Sequence, residues 1–212
     1  MTETGKEFEF ERIENTPKTV RELLTEMKDI SEIIVDLAYA SLLFDSKEIA
    51  EEVRHLESRM DTLNYEIRIK AMLASRTPED AIQLSGLLQV ASAAEAISNA
   101  AGDIVDLLEV DIEKRPFLSF VLRYAEEKIR LLIISEKSDM VSKTIKELSV
   151  ESETGMRIIA IKRGKRWIYD PEPEIKLKEA DLLIVRGTED GFENLRRFTS
   201  GEEKWPQYPE ED

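Results

Sequence analysis

The sequence predicts an α then α+β fold: an antiparallel three-helix bundle followed by a small α+β domain. Through most of residues 17–116, apolar residues recur at steps of three and four, which is typical of long amphipathic helices. After residue 117, apolar runs of strand length are separated by Gly, Pro and Asp, which indicates a sheet. We therefore expect an N-terminal segment at 1–16, a helical domain at 17–116, the α+β domain at 117–200 and an acidic tail at 201–212.

Each predicted helix begins with a polar capping residue. Thr16-Pro17 precedes the first helix, Asp45-Ser46 the second and Thr77-Pro78 the third. Because the connections are short, neighbouring helices should run antiparallel. The second helix has the most regular apolar seam, with steps of four and three as in a coiled coil. Its members are Ile49, Val53, Leu56, Met60, Leu63 and Ile67.

The second half of the chain has a different pattern. Alternating and continuous apolar runs predict four strands, and Arg163-Gly164-Lys165 predicts a hairpin turn. The strands are expected at Ile129–Ile134, Arg157–Lys162, Arg166–Tyr169 and Leu182–Arg186, and helices at 117–125, Val141–Leu148 and Asp190–Phe198.

Composition narrows the class of protein. The chain has 0 Cys, which excludes disulfides and thiolate catalysis. No signal peptide opens it and no apolar run is long enough to span a membrane, so we expect a cytoplasmic protein without direct membrane insertion, which reaches a membrane only through a partner. The net charge of −15 disfavours nucleic-acid binding, which needs a basic surface.

Two acidic stripes are candidate metal ligands. Glu32 and Asp36 lie one turn apart on the first helix, roughly opposite its apolar stripe, and Glu95 and Asp103 follow one face of the third. Carboxylates of this kind suit Mg, Ca, Mn or Fe. An acidic, solvated helix surface produces the same spacing, so we expect at most weak binding of a divalent metal and no required cofactor.

Catalytic arrangements are absent from the sequence. His55 is the sole His, in Glu52-x-x-His55, whereas a di-iron bundle needs this motif on two helices. Neither a Ser-His-Asp set, a Cys-His pair, a P-loop nor a Gly-x-Gly-x-x-Gly fingerprint is present. We therefore expect that the chain is not an enzyme.

Residues 138–198 contain a series of motifs in a fixed order. They are Ser-Asp before M-V-x-K-T-I-K-E-L, a Gly before the strand that ends A-I-K-R-G-K, then P-x-P and K-E-A-D-L-L-I-V-R-G-T-E-D. In this order the motifs resemble the TrkA-C domain, the small ligand-sensing domain of the RCK regulators of potassium channels and transporters. The family usually has Gly at the position of Ser142 and Gly-Asp at Ala180-Asp181. The nucleotide-binding Rossmann half of those regulators is missing, and the helical domain takes its place.

Residues 18–113 resemble a PhoU bundle. In that family E/D-x-x-x-D motifs on inner helix faces bind metal ions, and the proteins regulate phosphate uptake. Glu32 and Asp36 match such a motif directly, whereas Asn99 occupies the position where the second motif has Asp.

The TrkA-C resemblance also implies a ligand site. Related domains pair through the strand before the hairpin, and some hold a cyclic dinucleotide between subunits. Arg163 could bind such an anion, although a basic hairpin tip in water is the simpler interpretation. The implied ligand-binding residues are Ile158, Ile159, Ala160, Ile161 and Arg163.

Together these observations predict a cytoplasmic regulator of a potassium or divalent-cation channel or transporter, which senses a small anionic ligand through its second domain. The alternative is a metal-binding adaptor of phosphate uptake or signalling. We expect a homodimer, because the seam Ile49–Ile67 and the strand Ile158–Ile161 offer more apolar surface than one small domain can cover.

Overall fold

The computed structural model describes residues 18–109 and 127–206. The predicted segment 1–16, the helix at 117–125, the domain boundary near 116 and most of the tail lie outside these residues. The first part forms three long helices, as predicted: α1 Val20–Leu43, α2 Lys47–Ala74 and α3 Pro78–Asp106, with a 3₁₀ turn at Leu107–Glu109. Each helix packs against the other two.

The helix starts follow local capping chemistry. Thr19 caps α1 in a capping box with Glu22, so this helix begins later than the Thr16-Pro17 signal suggests. Ser46 caps α2 as predicted. Thr77 caps α3, with Pro78 in the first turn and the Asp80 carboxylate accepting from the Thr77 backbone N–H.

The apolar seam of α2 is buried within a single chain. Its side chains pack against α1 and α3 in the bundle core rather than forming a free surface. The exposed fraction is at most 1% for Ile49, Val53, Met60, Leu63 and Ile67.

The second part contains an antiparallel sheet with strand order β1-β4-β2-β3. The hairpin between β2 and β3 pairs Arg163 with Arg166 around Gly164, whose φ of +61° is readily available to glycine. The strands are β1 Lys128–Ile133, β2 Met156–Arg163, β3 Arg166–Tyr169 and β4 Leu182–Gly187.

The predicted helix Val141–Leu148 is too long. Thr144 forms an isolated bridge with Lys176, and the Ser142 N–H donates to the carbonyl of Leu177, so this backbone is tied to a neighbouring segment before the helix begins. Ser149, with φ +46°, then separates two short helices. The helices of this domain are α4 Ile145–Leu148, α5 Val150–Thr154 and α6 Glu189–Ser200.

The sheet lies between two helical layers. Leu183, Val185 and Ile161 face one core, which Leu148 and Leu195 of the flanking helices share. The other face packs on the bundle, since Ile159, Ala160 and Ile184 belong to the same apolar core as α1 and α2. A register shift between Ile158 and Ala160 lets the consecutive residues Ile159 and Ala160 both join this bundle-side core.

Within the described ranges, no helix combines the length and apolar character needed to cross a bilayer.

Candidate functional site

The bundle and the sheet are joined by ion pairs. On adjacent strands β2 and β4, Arg157 and Arg186 lie directly opposite each other. Like charges in such a cross-strand pair repel, so they need acidic partners. Glu32 and Asp36 of α1 supply these partners, because residues one helical turn apart project from the same face. The two carboxylates of the E-x-x-x-D motif of α1 therefore pair with two arginines of the sheet.

Asp36 is the buried member of this set. Nη1 of Arg186 donates to both of its carboxylate oxygens at 3.0 Å, and the residue is only 7% exposed. Burial raises the pKa of the Asp36 carboxyl, and the nearby Arg186 charge offsets this only in part. The contact thus fixes α1 against β4 at an electrostatic cost.

Arg157 makes looser contacts. Its guanidinium lies 3.7 Å from the Glu32 carboxylate and 3.4 Å from that of Asp170, beyond the end of β3. Glu32 is held more closely by Lys28 at 2.8 Å, and the hydrogen bond from Lys28 is the main reason that the pKa of Glu32 is lowered. Arg157 therefore contacts both α1 and the segment after β3, and neither contact is close.

Glu48, at the start of α2, forms a second link to the sheet. Its Oε2 accepts from Nε1 of Trp167 at 2.8 Å and from Nζ of Lys162 at 2.9 Å. The hydrogen bond from Trp167 is the largest cause of the lowered pKa of Glu48. Lys162 also lies over the Trp167 ring, which stacks on Tyr169.

A small cleft opens beside Arg157. It has a volume of about 250 Å³ and lies between α5, β2 and the segment after β3. Its wall combines the cationic Arg157 with two carboxylates, Glu151 and Asp170, and with apolar residues that include Ile158, Pro171 and Pro173. Cavities that enclose a whole drug-sized ligand measure roughly 300–1,000 Å³, so this cleft suits a phosphate-sized or partly enclosed group.

A second cleft, of about 430 Å³, lies between α1, α2 and β3. Its polar wall is mostly acidic, with Glu26, Asp29 and Glu52. Burial raises the pKa of Glu52, and burial is also the main cause that raises the pKa of Tyr169 at the rim. Asp170 lines both clefts.

Arg163 is engaged within its own domain. Nε and Nη2 donate to the two carboxylate oxygens of Asp181 at 2.8 and 2.7 Å, and Nη2 also donates to the carbonyl of Lys176. Asp181 is fully buried and also accepts from the Lys178 backbone N–H. This bidentate pair holds the turn before β4 against the hairpin.

The five residues predicted to bind a ligand are thus placed in the interior or in that ion pair. β2 is flanked by β4 and β3, so backbone pairing with a second subunit is not open to its central residues. Ile158 lines the 250 Å³ cleft, while Ile159 and Ala160 face the bundle and Ile161 faces the opposite core. A ligand at Arg163 would have to displace Asp181. These assignments remain predictions.

The four predicted metal ligands are not brought together. Glu32 and Asp36 face arginines, and Glu95 lies 3.7 Å from Arg68. Asp103 is exposed on α3. Among the residues that the structure describes, no group of three or more His, Cys, Asp or Glu is arranged to hold a metal ion.

Sequence reasoning missed the partners of these charges. From the sequence alone, Arg157 and Arg186 are placed only at the ends of predicted strands, and Glu48 is assigned no role. One clue was available: Arg157 and Arg186 each adjoin an apolar strand run, where a charge needs a nearby counter-charge.

Two family models match separate parts of the chain. The PhoU domain model matches residues 24–108, and the TrkA-C domain model matches residues 129–200. Both matched ranges fall inside the domains expected from the sequence.

Two curated relatives come from Methanocaldococcus jannaschii. "Probable potassium channel protein 2" is 28% identical over 42% of this chain and 27% of its own length. "Potassium channel protein 1" is 28% identical over 40% of this chain and 25% of its own length. The chain thus spans about a quarter of these relatives.

Two solved structures resemble part of the chain. The RCK_C domain dimer of S. agalactiae BusR in complex with c-di-AMP is 27% identical, with a TM-score of 0.34, and the match covers 36% of this chain and 95% of that one. The C domain of the potassium transport protein KtrA in complex with c-di-AMP is 32% identical, with a TM-score of 0.33, over 40% of this chain and 96% of that one.

Proposed function

We propose that this chain, in which a PhoU domain is joined to a TrkA-C domain, is a regulatory protein of cation transport. In this proposal it acts on the cytoplasmic side of a membrane channel or transporter and catalyses no reaction. The match of part of this chain to parts of two potassium channel proteins supports this role. In this proposal the pore that the chain regulates belongs to a membrane partner.

We place the sensed ligand, a small anion such as a cyclic dinucleotide, in the cleft beside Arg157. This cleft places a partly exposed guanidinium beside apolar walls, and a phosphate attached to a ring system would bind Arg157 there in competition with the carboxylates of Glu151 and Asp170. Arg157 is a better candidate than Arg163, because its contacts of 3.4 and 3.7 Å are loose whereas Arg163 is held at 2.7 and 2.8 Å by a buried carboxylate.

The observation that carries the proposal is the double role of Arg157. It lines the cleft and also contacts Glu32, which lies on α1 of the other domain. An anion in the cleft would compete with Glu32 and Asp170 for the guanidinium. The ligand would then bind differently to the state in which α1 is held by Arg157 and to the state in which it is released, and this difference is the requirement for a ligand-driven switch.

Trp167 offers a reporter of this event. The chain contains 2 Trp, and Trp205 packs against Phe198 in the far core. The Trp205→Phe variant therefore leaves Trp167, which lies between bundle and sheet, as its single Trp.

The test titrates this variant with cyclic dinucleotides, mononucleotides and inorganic phosphate, and follows Trp167 fluorescence and melting temperature. We expect one class of anion to raise the melting temperature and change the fluorescence saturably. Arg157→Gln should weaken that ligand about tenfold or more, because it removes a charge-assisted contact. Arg166→Gln, at the exposed hairpin tip, is the matched control and should bind normally.

Two results would contradict the proposal. A ligand that binds equally well to Arg157→Gln lies elsewhere on the chain. If every anion fails to stabilise the protein at millimolar concentration, the TrkA-C domain is better described as a structural assembly domain.

A further inference from the structure

The outer face of α3 carries a row of uncovered apolar side chains. Three large residues are conspicuous: Ile82 is 73% exposed, Val90 62% and Ile97 43%. They recur with small residues at steps of three and four, so they share one side of the helix. The row consists of Ile82, Gly86, Val90, Ala93, Ile97 and Ala100, and is called here the α3 face.

The α3 face is also depleted of charge. Charged residues make up 35% of the chain, yet Glu95 is the only one between Ala81 and Gly102. Glu95 lies on the side toward α2, where Arg68 approaches it at 3.7 Å. A helix side exposed to water normally carries charged or polar residues, so an apolar side of this length indicates a contact surface.

We infer that the α3 face is the contact between two copies of this chain, with the twofold axis passing near Ala93. A twofold contact brings each residue close to its own copy or to its neighbours, so a charge on the axis would meet a like charge. Each copy carries a net charge of −15, and this uncharged face is where two copies approach with least repulsion.

The shape of the α3 face also suits contact with a second copy of the chain. Gly86, Ala93 and Ala100 alternate with Ile82, Val90 and Ile97, so large side chains of one helix can enter the spaces left by small ones on the other. The part from Ala81 to Gly102 is about 33 Å long at 1.5 Å per residue.

Two helices alone bury less than the roughly 800 Å² per partner of a standard interface. Met72 and Leu73 are further exposed apolar residues, at the end of the bundle where α2 passes to α3.

This surface differs from the two that the sequence suggested for a dimer. The α2 seam and the apolar part of β2 are buried within one chain, whereas the α3 face is exposed. The inference is independent of the ligand cleft, because α3 contributes no residue to the wall beside Arg157. Assembly state tests it without reference to ligand binding.

The first experiment measures the mass of the full chain by light scattering at micromolar concentration. We expect a dimer for the wild type and a rise of about tenfold or more in the dissociation constant for Ala93→Glu, which places two like charges at the axis. Lys178→Gln makes the same change in net charge on an exposed part of the other domain and should remain dimeric. Circular dichroism confirms that each variant keeps its helices.

The second experiment uses the absence of cysteine from the sequence. A single Ala93→Cys substitution should form a covalent dimer on mild oxidation, whereas Glu179→Cys, exposed on the other domain, should not. A monomeric wild type would overturn the inference, as would a dimer that persists unchanged in Ala93→Glu. So would a monomer whose Ala93→Cys thiol becomes reactive only after residues 1–17 are removed, since that segment would then be the occupant.

Discussion

Asp36 and Arg186 are 150 positions apart in the sequence, and one guanidinium nitrogen contacts both carboxylate oxygens at 3.0 Å. The pair joins the centre of α1 to the last strand of the sheet, and burial makes the carboxylate costly to keep ionised. The contribution of this pair to the stability of the folded chain should therefore change with pH in the direction opposite to that of an exposed ion pair.

The first prediction concerns that direction. Because the pKa of Asp36 is raised in the folded chain above the ordinary value of 3.8, the folded state binds this proton more tightly than the unfolded state. Acidification should therefore stabilise the wild type relative to Asp36→Asn, as pH falls from 7 through the raised pKa toward 3.8. Urea unfolding of both proteins at pH 7 and pH 4 measures this difference.

Glu32→Gln serves as the control, because the difference in stability between this variant and the wild type should change with pH in the opposite direction. The pKa of Glu32 is lowered, so its contribution is present above the ordinary carboxyl pKa and is lost on acidification. The wild type should lose stability relative to Glu32→Gln over the same pH range. Parallel pH profiles for the two variants would show that the Asp36 carboxyl is not desolvated by the sheet.

The second prediction concerns Arg163. Its removal leaves the buried carboxylate of Asp181 without a counter-charge, so Arg163→Ala should destabilise the chain by about 3–5 kcal/mol. Chemical denaturation measures the change. Arg166→Ala, across the hairpin and exposed, should cost under about 0.5 kcal/mol. If the two variants are equally stable, the bidentate pair is not formed in solution.

The third prediction separates the two bonds of Glu48. In the Trp205→Phe background, Glu48→Gln keeps an acceptor for Trp167 Nε1 but loses the charge that Lys162 contacts, whereas Glu48→Ala loses both. We expect the Trp167 emission maximum to move to longer wavelength in the Ala variant and to change little in the Gln variant. Identical spectra for all three proteins would remove Glu48 from the contact between the domains.

The fourth prediction concerns two residues at which the sequence departs from the TrkA-C pattern. Ser142 and Ala180 have φ of +70° and +61°, a backbone conformation that costs a non-glycine residue about 1–2 kcal/mol. Ala180→Gly should therefore stabilise the chain by up to about 1 kcal/mol, after the greater freedom of glycine in the unfolded chain is subtracted.

A matched substitution in a right-handed helix gives the control. Ala81→Gly in α3 should destabilise by about 0.5–1 kcal/mol, because helical φ gives glycine no advantage there. Thermal unfolding of both variants measures the two shifts, which we expect to have opposite signs. A loss of stability in Ala180→Gly would contradict the left-handed assignment of this turn.

Local chemistry explains which parts of this fold could be predicted. Thr77-Pro78 and Gly164 determine a helix start and a hairpin through neighbouring atoms alone, and both were found where expected. The predicted helix Val141–Leu148 began too early, because the backbone of residues 142–146 is set by bonds to residues 173–177, which no short stretch of sequence contains.

The candidate site was harder to predict for the same reason. Glu32 and Asp36 have the spacing of a metal motif, and no neighbouring residue indicates that two arginines more than a hundred positions later contact them. Helical-wheel placement puts Glu32 and Asp36 away from the main apolar stripe of α1, but the structure covers Asp36 with the sheet and leaves Glu32 exposed.

The sheet packed on both faces has a consequence for how the domains can be separated. Cutting the chain between residues 109 and 127 would uncover Ile159, Ala160 and Ile184 on one fragment and the sheet-facing side of α1 on the other. Each fragment would then present an apolar surface to water and tend to aggregate or to bind unrelated proteins. The properties of either half expressed alone would therefore differ from its properties in the intact chain.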